Sequence, residues 1–185
     1  MCPLTESVYR ENSYTTREVF PIVGTVHAEM QTRLIAFGNT LLRDDGVGIH
    51  VARALRASSA LASLQVVESE VGGLALLELL EGCDRAVLVD AVQLPGRAAG
   101  ELVPLALSDA RASSRLAGVH EADLPAVLEI GARLGHGMPS QVVVFGIQGE
   151  DLTTFGERLT PAVEAALPRL VEELLGAIAK VEEDA

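Results

Sequence analysis

The 185-residue sequence predicts one three-layer α/β domain: a mostly parallel five-stranded sheet flanked by helices, with an antiparallel edge strand. Three observations carry that prediction. Short apolar runs, as expected of strands buried on both faces, alternate with stretches whose apolar residues recur at helical spacing. The order strand, helix, strand, helix, strand implies right-handed crossovers and hence parallel pairing. One further run follows its predecessor through a turn too short for a helical crossover, which makes it an antiparallel edge.

Taken in order, residues 1–31 are polar and irregular at first. They read as an N-terminal extension, either disordered or the result of a misplaced translation start, since Met30 stands just before the first convincing strand. That strand, Leu34-Ile35-Ala36-Phe37, is ended by Gly38-Asn39, and the loop to Asp45 opens a helix with Val47, Val51, Ala54 and Leu55 on one face. A second strand spans Leu64 to Glu68. Gly72-Gly73 then lead into a Leu-rich helix reaching about Glu81, and Ala86 to Val89 form a third strand that ends at Asp90. Leu102 to Leu107 is the edge strand, after the turn at Pro95-Gly96. His120 precedes a helix with Leu124, Val127, Leu128 and Leu134 on one side, and Val142 to Phe145 give the last buried strand, ending at Gly146. The final helix has Thr160 as N-cap and Pro161 at its first position, with a kink expected at Pro168. The domain therefore spans 32–180, and 181–185 read as a solvated acidic tail.

Composition narrows the function. A formal net charge of −12 argues against a nucleic-acid partner, because phosphate backbones are bound by clustered Lys and Arg. With 3% aromatic residues and no Trp, stacking platforms for bases or sugars are also excluded. Cys2 and Cys83 lie in unlike contexts, which gives neither a disulfide framework nor a CxxC metal site and suits a reducing cytoplasm. No apolar run approaches the roughly 18 residues of a membrane span, and the N-terminus lacks the pattern of a signal peptide, so no membrane partner is expected.

In an open parallel sheet, ligands bind outside the carboxyl ends of the strands, near the point where strand order reverses. Asp45, Asp90 and His120 all map to that edge. Two carboxylates and an imidazole suit a divalent metal of intermediate softness, nickel or zinc. The competing reading is local: Asp at a helix start is commonly a cap, and Asp at a strand end commonly belongs to a turn. A dinucleotide site at Gly46-Val47-Gly48 fails, because the third glycine of the fingerprint falls at Val51 and two aspartates stand where a pyrophosphate would lie. Asn39 admits two roles, orienting a substrate backbone or forming an ordinary Gly-Asn turn. Asp44 reads as a loop or capping acid, His50 as a surface residue, and Gly46 and Gly48 as points of close approach to helix, strand or substrate.

The run Gly38-Asn39-Thr40-Leu41-Leu42-Arg43-Asp44-Asp45-Gly46-Val47-Gly48 resembles the GNxLxxD(D/E)GxG signature of the nickel-iron hydrogenase maturation proteases. Leu88-Val89-Asp90-Ala91, His120, Gly146-Ile147-Gln148, and Gly72-Gly73 followed by Leu77 to Leu80 resemble later segments of that family, in order over about residues 33–175. The resemblance implies an endopeptidase that removes the C-terminal extension of a hydrogenase large-subunit precursor after nickel insertion, with the nickel carried by that precursor and no organic cofactor. It places Asp45, Asp90 and His120 around the metal; on chemical grounds Asp45 or Asp90 is then the candidate base for hydrolysis, and Asn39, Gly46, Gly72 and Gly73 are the residues expected against the substrate. Val71, Leu74 and Gly149 depart from the family pattern, which affects the rim of the cleft rather than the metal-facing residues. Two other functions fit the same residues: a hydrolase of this fold with its own zinc, and a non-catalytic chaperone that senses nickel in the precursor.

Overall fold

A computed structural model describes residues 30–57, 64–107 and 124–183. Its five strands are β1 (Thr32–Phe37), β2 (Gln65–Ser69), β3 (Arg85–Val92), β4 (Leu102–Leu105) and β5 (Gln141–Gln148), in the spatial order β2-β1-β3-β5-β4. All neighbours are parallel except β4, which runs antiparallel to β5 at the edge. Pro104 sits in that edge strand, where a missing N–H is tolerated. The helices are α1 (Val47–Ala57), α2 (Leu76–Leu80), α3 (Leu124–Leu134) and α4 (Pro161–Glu183). None is long and apolar enough to cross a membrane.

The alternation of β3 explains the layers. Val87, Val89 and Ala91 face one side and pack under α1 and α4, through Val51, Leu55, Leu170 and Leu174. Ala86 and Leu88 face the other side, where Leu76 and Leu80 of α2 and Leu124 and Val127 of α3 cover them with Ile35 and Phe37 of β1. A continuous apolar run is what burial on both faces requires. Because β2 lies on one side of β1 and β3 on the other, the strand order reverses between β1 and β3. Sheets of this kind bind ligands near the carboxyl ends of the two strands on either side of such a reversal.

Several boundaries move. β3 continues two residues past Asp90, and β5 continues past Gly146, because the two strands stay paired from Asp90↔Gly146 to Val92↔Gln148. β4 stops at Leu105 rather than Leu107. Gln31 belongs with the domain: its N–H donates to Asp84 Oδ2 at 2.7 Å and its carbonyl accepts from Asp84 and Arg85. At the other end α4 is continuous through Pro168 to Glu183 with Val181 buried, so residues 181–183 complete a helix rather than begin a tail. Leu134 is exposed, off the apolar side of α3 on which its spacing put it.

Gly48 shows how tightly α1 sits on the sheet. A Cβ there would run into the Phe37 carbonyl and lie 3.2 Å from that of Val89, so the helix start rests on the ends of β1 and β3. Gly48→Ala should destabilise the protein by about 2 kcal/mol, lowering the melting temperature by roughly 6 °C. Thermal unfolding followed by circular dichroism measures this.

Candidate active site

The loop after β1 is built from backbone hydrogen bonds that place Asp45. Asn39 Oδ1 accepts the Leu41 N–H at 2.9 Å, the Asn39 carbonyl accepts the Leu42 N–H at 3.0 Å, and a 3-10 turn over Arg43–Gly46 leads into α1. Asn39 thus forms the turn suggested by the Gly-Asn pair, and its own N–H donates to Asp45 Oδ2 at 3.0 Å. Two glycines let the loop fold back on itself. A Cβ at Gly38 would stand 2.6 Å from the Asp45 carbonyl oxygen, and one at Gly46 would stand 2.9 Å from Thr40 Cα. Arg43 takes a positive φ of 40°, a conformation rare for a residue with a side chain, while its N–H donates to the Gly156 carbonyl at 2.7 Å.

Asp45 and Asp90 lie on neighbouring elements. Ala36 pairs with Val89, so Asp90 is one step beyond that register on the strand next to β1, and the turn holding Asp45 packs against β3. Asp45 is 6% exposed and Asp90 fully buried. Asp90 Oδ1 accepts the Ala91 N–H at 2.8 Å, and its position in β3 puts it on the Leu88 side, the face covered by α2 and α3. His120 lies outside the described residues. Among the described residues, no three His, Cys, Asp or Glu side chains gather closely enough to hold a metal ion.

The adjacent aspartates have separate jobs. Asp44 is fully buried, and its carboxylate accepts four hydrogen bonds: from the N–H groups of Glu150 (2.9 Å), Asp151 (3.1 Å) and Thr160 (2.7 Å), and from Thr160 Oγ1 at 2.8 Å. A carboxylate offers about four lone-pair sites, so Asp44 is committed to the β5–α4 loop. Sequence reasoning identified Asp44 as a loop acid but missed this extent, and it gave the Thr160 hydroxyl to capping alone. The Thr160 carbonyl does accept the first helical bond, from Glu164 N–H, while the hydroxyl donates to Asp44.

Gly72 and Gly73 form the loop entering α2, where Gly73 has φ +63°, a conformation suited to glycine. A cleft of about 540 Å³ adjoins the ends of β3 and β5, lined by Gln93, Leu94, Arg97, Gln148 and Gly149 among others. Gln148 Oε1 shapes it by accepting the Leu94 N–H at 2.8 Å. A smaller pocket of about 150 Å³ lies on the β2 side, between Thr40, Ser69 and Glu70.

Other reactive side chains are accounted for elsewhere. Cys83 is buried with Sγ donating to the Leu80 carbonyl, and burial pushes its thiol pKa up, the opposite of a nucleophile's need. His136 faces Glu81 at 2.9 Å, far along the fold from this edge. His50 is not a plain surface residue: its Nε2 is buried with no hydrogen-bond partner. Burial and then Arg53 lower its pKa, against an opposing effect of Glu164. Since the folded value lies below the unfolded one, the fold favours neutral imidazole, and the stability this contributes is complete above the unfolded pKa and lost as pH falls toward the folded value. The melting temperature should therefore drop less between about pH 7 and 5 in His50→Gln than in the wild type.

A family model described as "Hydrogenase maturation protease" matches residues 49–177 of this chain. The chain belongs to the hydrogenase maturation protease family. The matched span includes the positions of Asp90 and His120 and begins just after Asp45. Among characterised relatives, the hydrogenase expression/formation protein HupD of Thiocapsa roseopersicina is 28% identical over 174 residues, covering 86% of this chain and 75% of that protein. The hydrogenase 2 maturation protease of Escherichia coli is 25% identical over 151 residues, covering 80% and 91%. The fold is shared with the solved hydrogenase maturating endopeptidase HybD of E. coli, at a TM-score of 0.65 and 23% identity over 82% of this chain and 94% of the other. It is also shared with the [NiFe] hydrogenase maturation protease HybD of Thermococcus kodakarensis, at a TM-score of 0.59 with 80% and 99% covered. The maturation protease described here is thus a five-stranded mixed-sheet peptidase.

Proposed function

We propose that this maturation protease removes the C-terminal extension of a nickel-iron hydrogenase large-subunit precursor once nickel is in place, the metal arriving as part of the substrate. The observation that carries the reading is that the turn holding Asp45 packs against β3, the strand that carries Asp90, beside the point where the strand order reverses. Asp44 does not compete for that role, because four donors occupy it.

In this reading Asp45, Asp90 and His120 meet the precursor's nickel, whose intermediate softness accepts carboxylate oxygen and imidazole nitrogen alike. Hydrolysis then requires a water to attack the scissile carbonyl carbon, a group to take its proton, and a proton for the leaving amine. A carboxylate of the pair takes the water's proton and returns it to the amine nitrogen as the peptide bond breaks. The reaction belongs to the cytoplasm, where the precursor is assembled.

Incubating the purified protein with precursor and recording intact mass tests the activity, with metal analysis of the protein alongside. The expected outcome is loss of one C-terminal peptide from the precursor and no stoichiometric zinc in the protease. A tightly held zinc with cleavage indifferent to nickel would instead mark a zinc hydrolase of this fold, and binding without cleavage would mark a chaperone.

A further inference from the structure

Large apolar side chains left in water are unevenly distributed. Of the six that are exposed among the described residues, Met30 and Leu134 lie at the amino end of the sheet, whereas Leu41, Val71 and Phe155 in loops and Leu74 in a 3-10 turn over Gly73–Ala75 all sit at the carboxyl end. These four are between 53% and 83% exposed. Scattered surface leucines need no explanation, but clustering at one edge marks a binding surface.

The four form an arc rather than separate points. Leu41 adjoins Phe155 because the Leu41 carbonyl accepts the Gly156 N–H at 2.9 Å. Thr40, beside Leu41, faces Ser69 and Glu70, beside Val71, across the 150 Å³ pocket, and the Gly38 N–H donates to the Ser69 carbonyl at 3.2 Å. Leu74 follows on the loop that carries Gly72 and Gly73. The same turn that supplies the arc's first residue holds Asp45, through the Asn39 N–H. The arc is therefore continuous with the site of a peptidase, and the ligand of such a site is a polypeptide.

We propose that Leu41, Val71, Leu74 and Phe155 form the docking surface for the protein substrate, contacting apolar side chains of the folded precursor beside its cleavage segment. This rests on the function proposed above for Asp45 and Asp90. The loops bearing Phe155 and Leu41 are fixed by backbone hydrogen bonds and by Asp44, so the surface is set before the substrate arrives. Apolar anchors near the centre of a contact dominate its affinity, while the polar rim contributes little.

Binding of nickel-loaded precursor to the full-length protein, measured by isothermal titration calorimetry, and cleavage, measured by intact mass, test the surface separately from the chemistry. The doubles Val71→Ser/Leu74→Ser and Leu41→Ser/Phe155→Ser should each weaken binding and raise KM about ten-fold with kcat within two-fold of wild type. Leu134→Ser, at the opposite end, should change neither. Unaltered affinity in both doubles, or a wild-type dimer that the doubles dissociate, would overturn the docking surface even if cleavage proceeds. Wild type that binds precursor, weakened by the doubles, yet never cleaves it would overturn the proposed function and leave the surface standing. Wild type that neither binds nor cleaves would overturn both.

Discussion

Asp90→Asn should abolish precursor cleavage, slowing it by at least about a thousand-fold, while changing stability by no more than about 1 kcal/mol. The separation of the two effects is the point of choosing asparagine. Asp90 is fully buried in β3, and its Oδ1 accepts the Ala91 N–H at 2.8 Å. Asparagine has nearly the same shape and keeps a carbonyl oxygen for that bond. What it lacks is the negative charge needed to meet a metal or to take a proton from water. Alanine would remove the acceptor as well, leaving the Ala91 N–H unpaired at a cost of about 1–3 kcal/mol, which would confuse lost chemistry with loosened structure. Single-turnover cleavage and calorimetric melting of wild type and Asp90→Asn decide the matter, and full activity in the variant would remove Asp90 from the site.

Asp44→Ala should have the largest effect on stability of any single change at this edge, about 4 kcal/mol, or a melting temperature lower by roughly 10 °C. The substitution strands three backbone N–H groups and the Thr160 hydroxyl at once, and the loop they come from joins β5 to α4. Thr160 starts a helix that supplies much of the core on one face of the sheet, through Val163, Leu170, Leu174 and Ile178. Activity should fall too, because Asp45 is next in the chain, but only as far as the fold loosens; low temperature or a stabilising osmolyte should restore part of it. The same treatment should not rescue Asp90→Asn. A melting temperature within a degree or two of wild type for Asp44→Ala would show that the four hydrogen bonds contribute far less than their burial implies.

Most of the fold was legible because burial on both faces leaves a strong trace. Leu34 to Phe37 and Ala86 to Val89 are apolar without interruption, and the short turn at Pro95-Gly96 announced the antiparallel edge. Strand ends were less legible for a definite reason. Asp90 and Gly146 look like terminators, yet they pair with each other in the centre of the sheet, each strand supplying the other's backbone partners. A polar residue can continue a buried strand when its side chain has a partner of its own, as Asp90 has in the Ala91 N–H.

The candidate site divides along similar lines. Asp45 lies in the turn after β1 and Asp90 within β3, strands that topology makes neighbours, so their placement on adjoining elements could be argued from element order. The division of labour between Asp44 and Asp45 could not, since the donors that occupy Asp44 lie 106 to 116 residues away in the chain. Leu41, Val71, Leu74 and Phe155 left no periodic signal, because loop residues carry none; only their common exposure at one edge reveals them.

In the proposed function Asp45 and Asp90 act on a precursor that already carries nickel. The deciding measurement is the intact mass of purified large-subunit precursor, prepared with and without nickel, after incubation with this protease. The nickel-loaded form should lose one C-terminal peptide and the nickel-free form should keep its mass. Equal cleavage of both forms, or of neither, would rule out nickel-dependent processing by this protein.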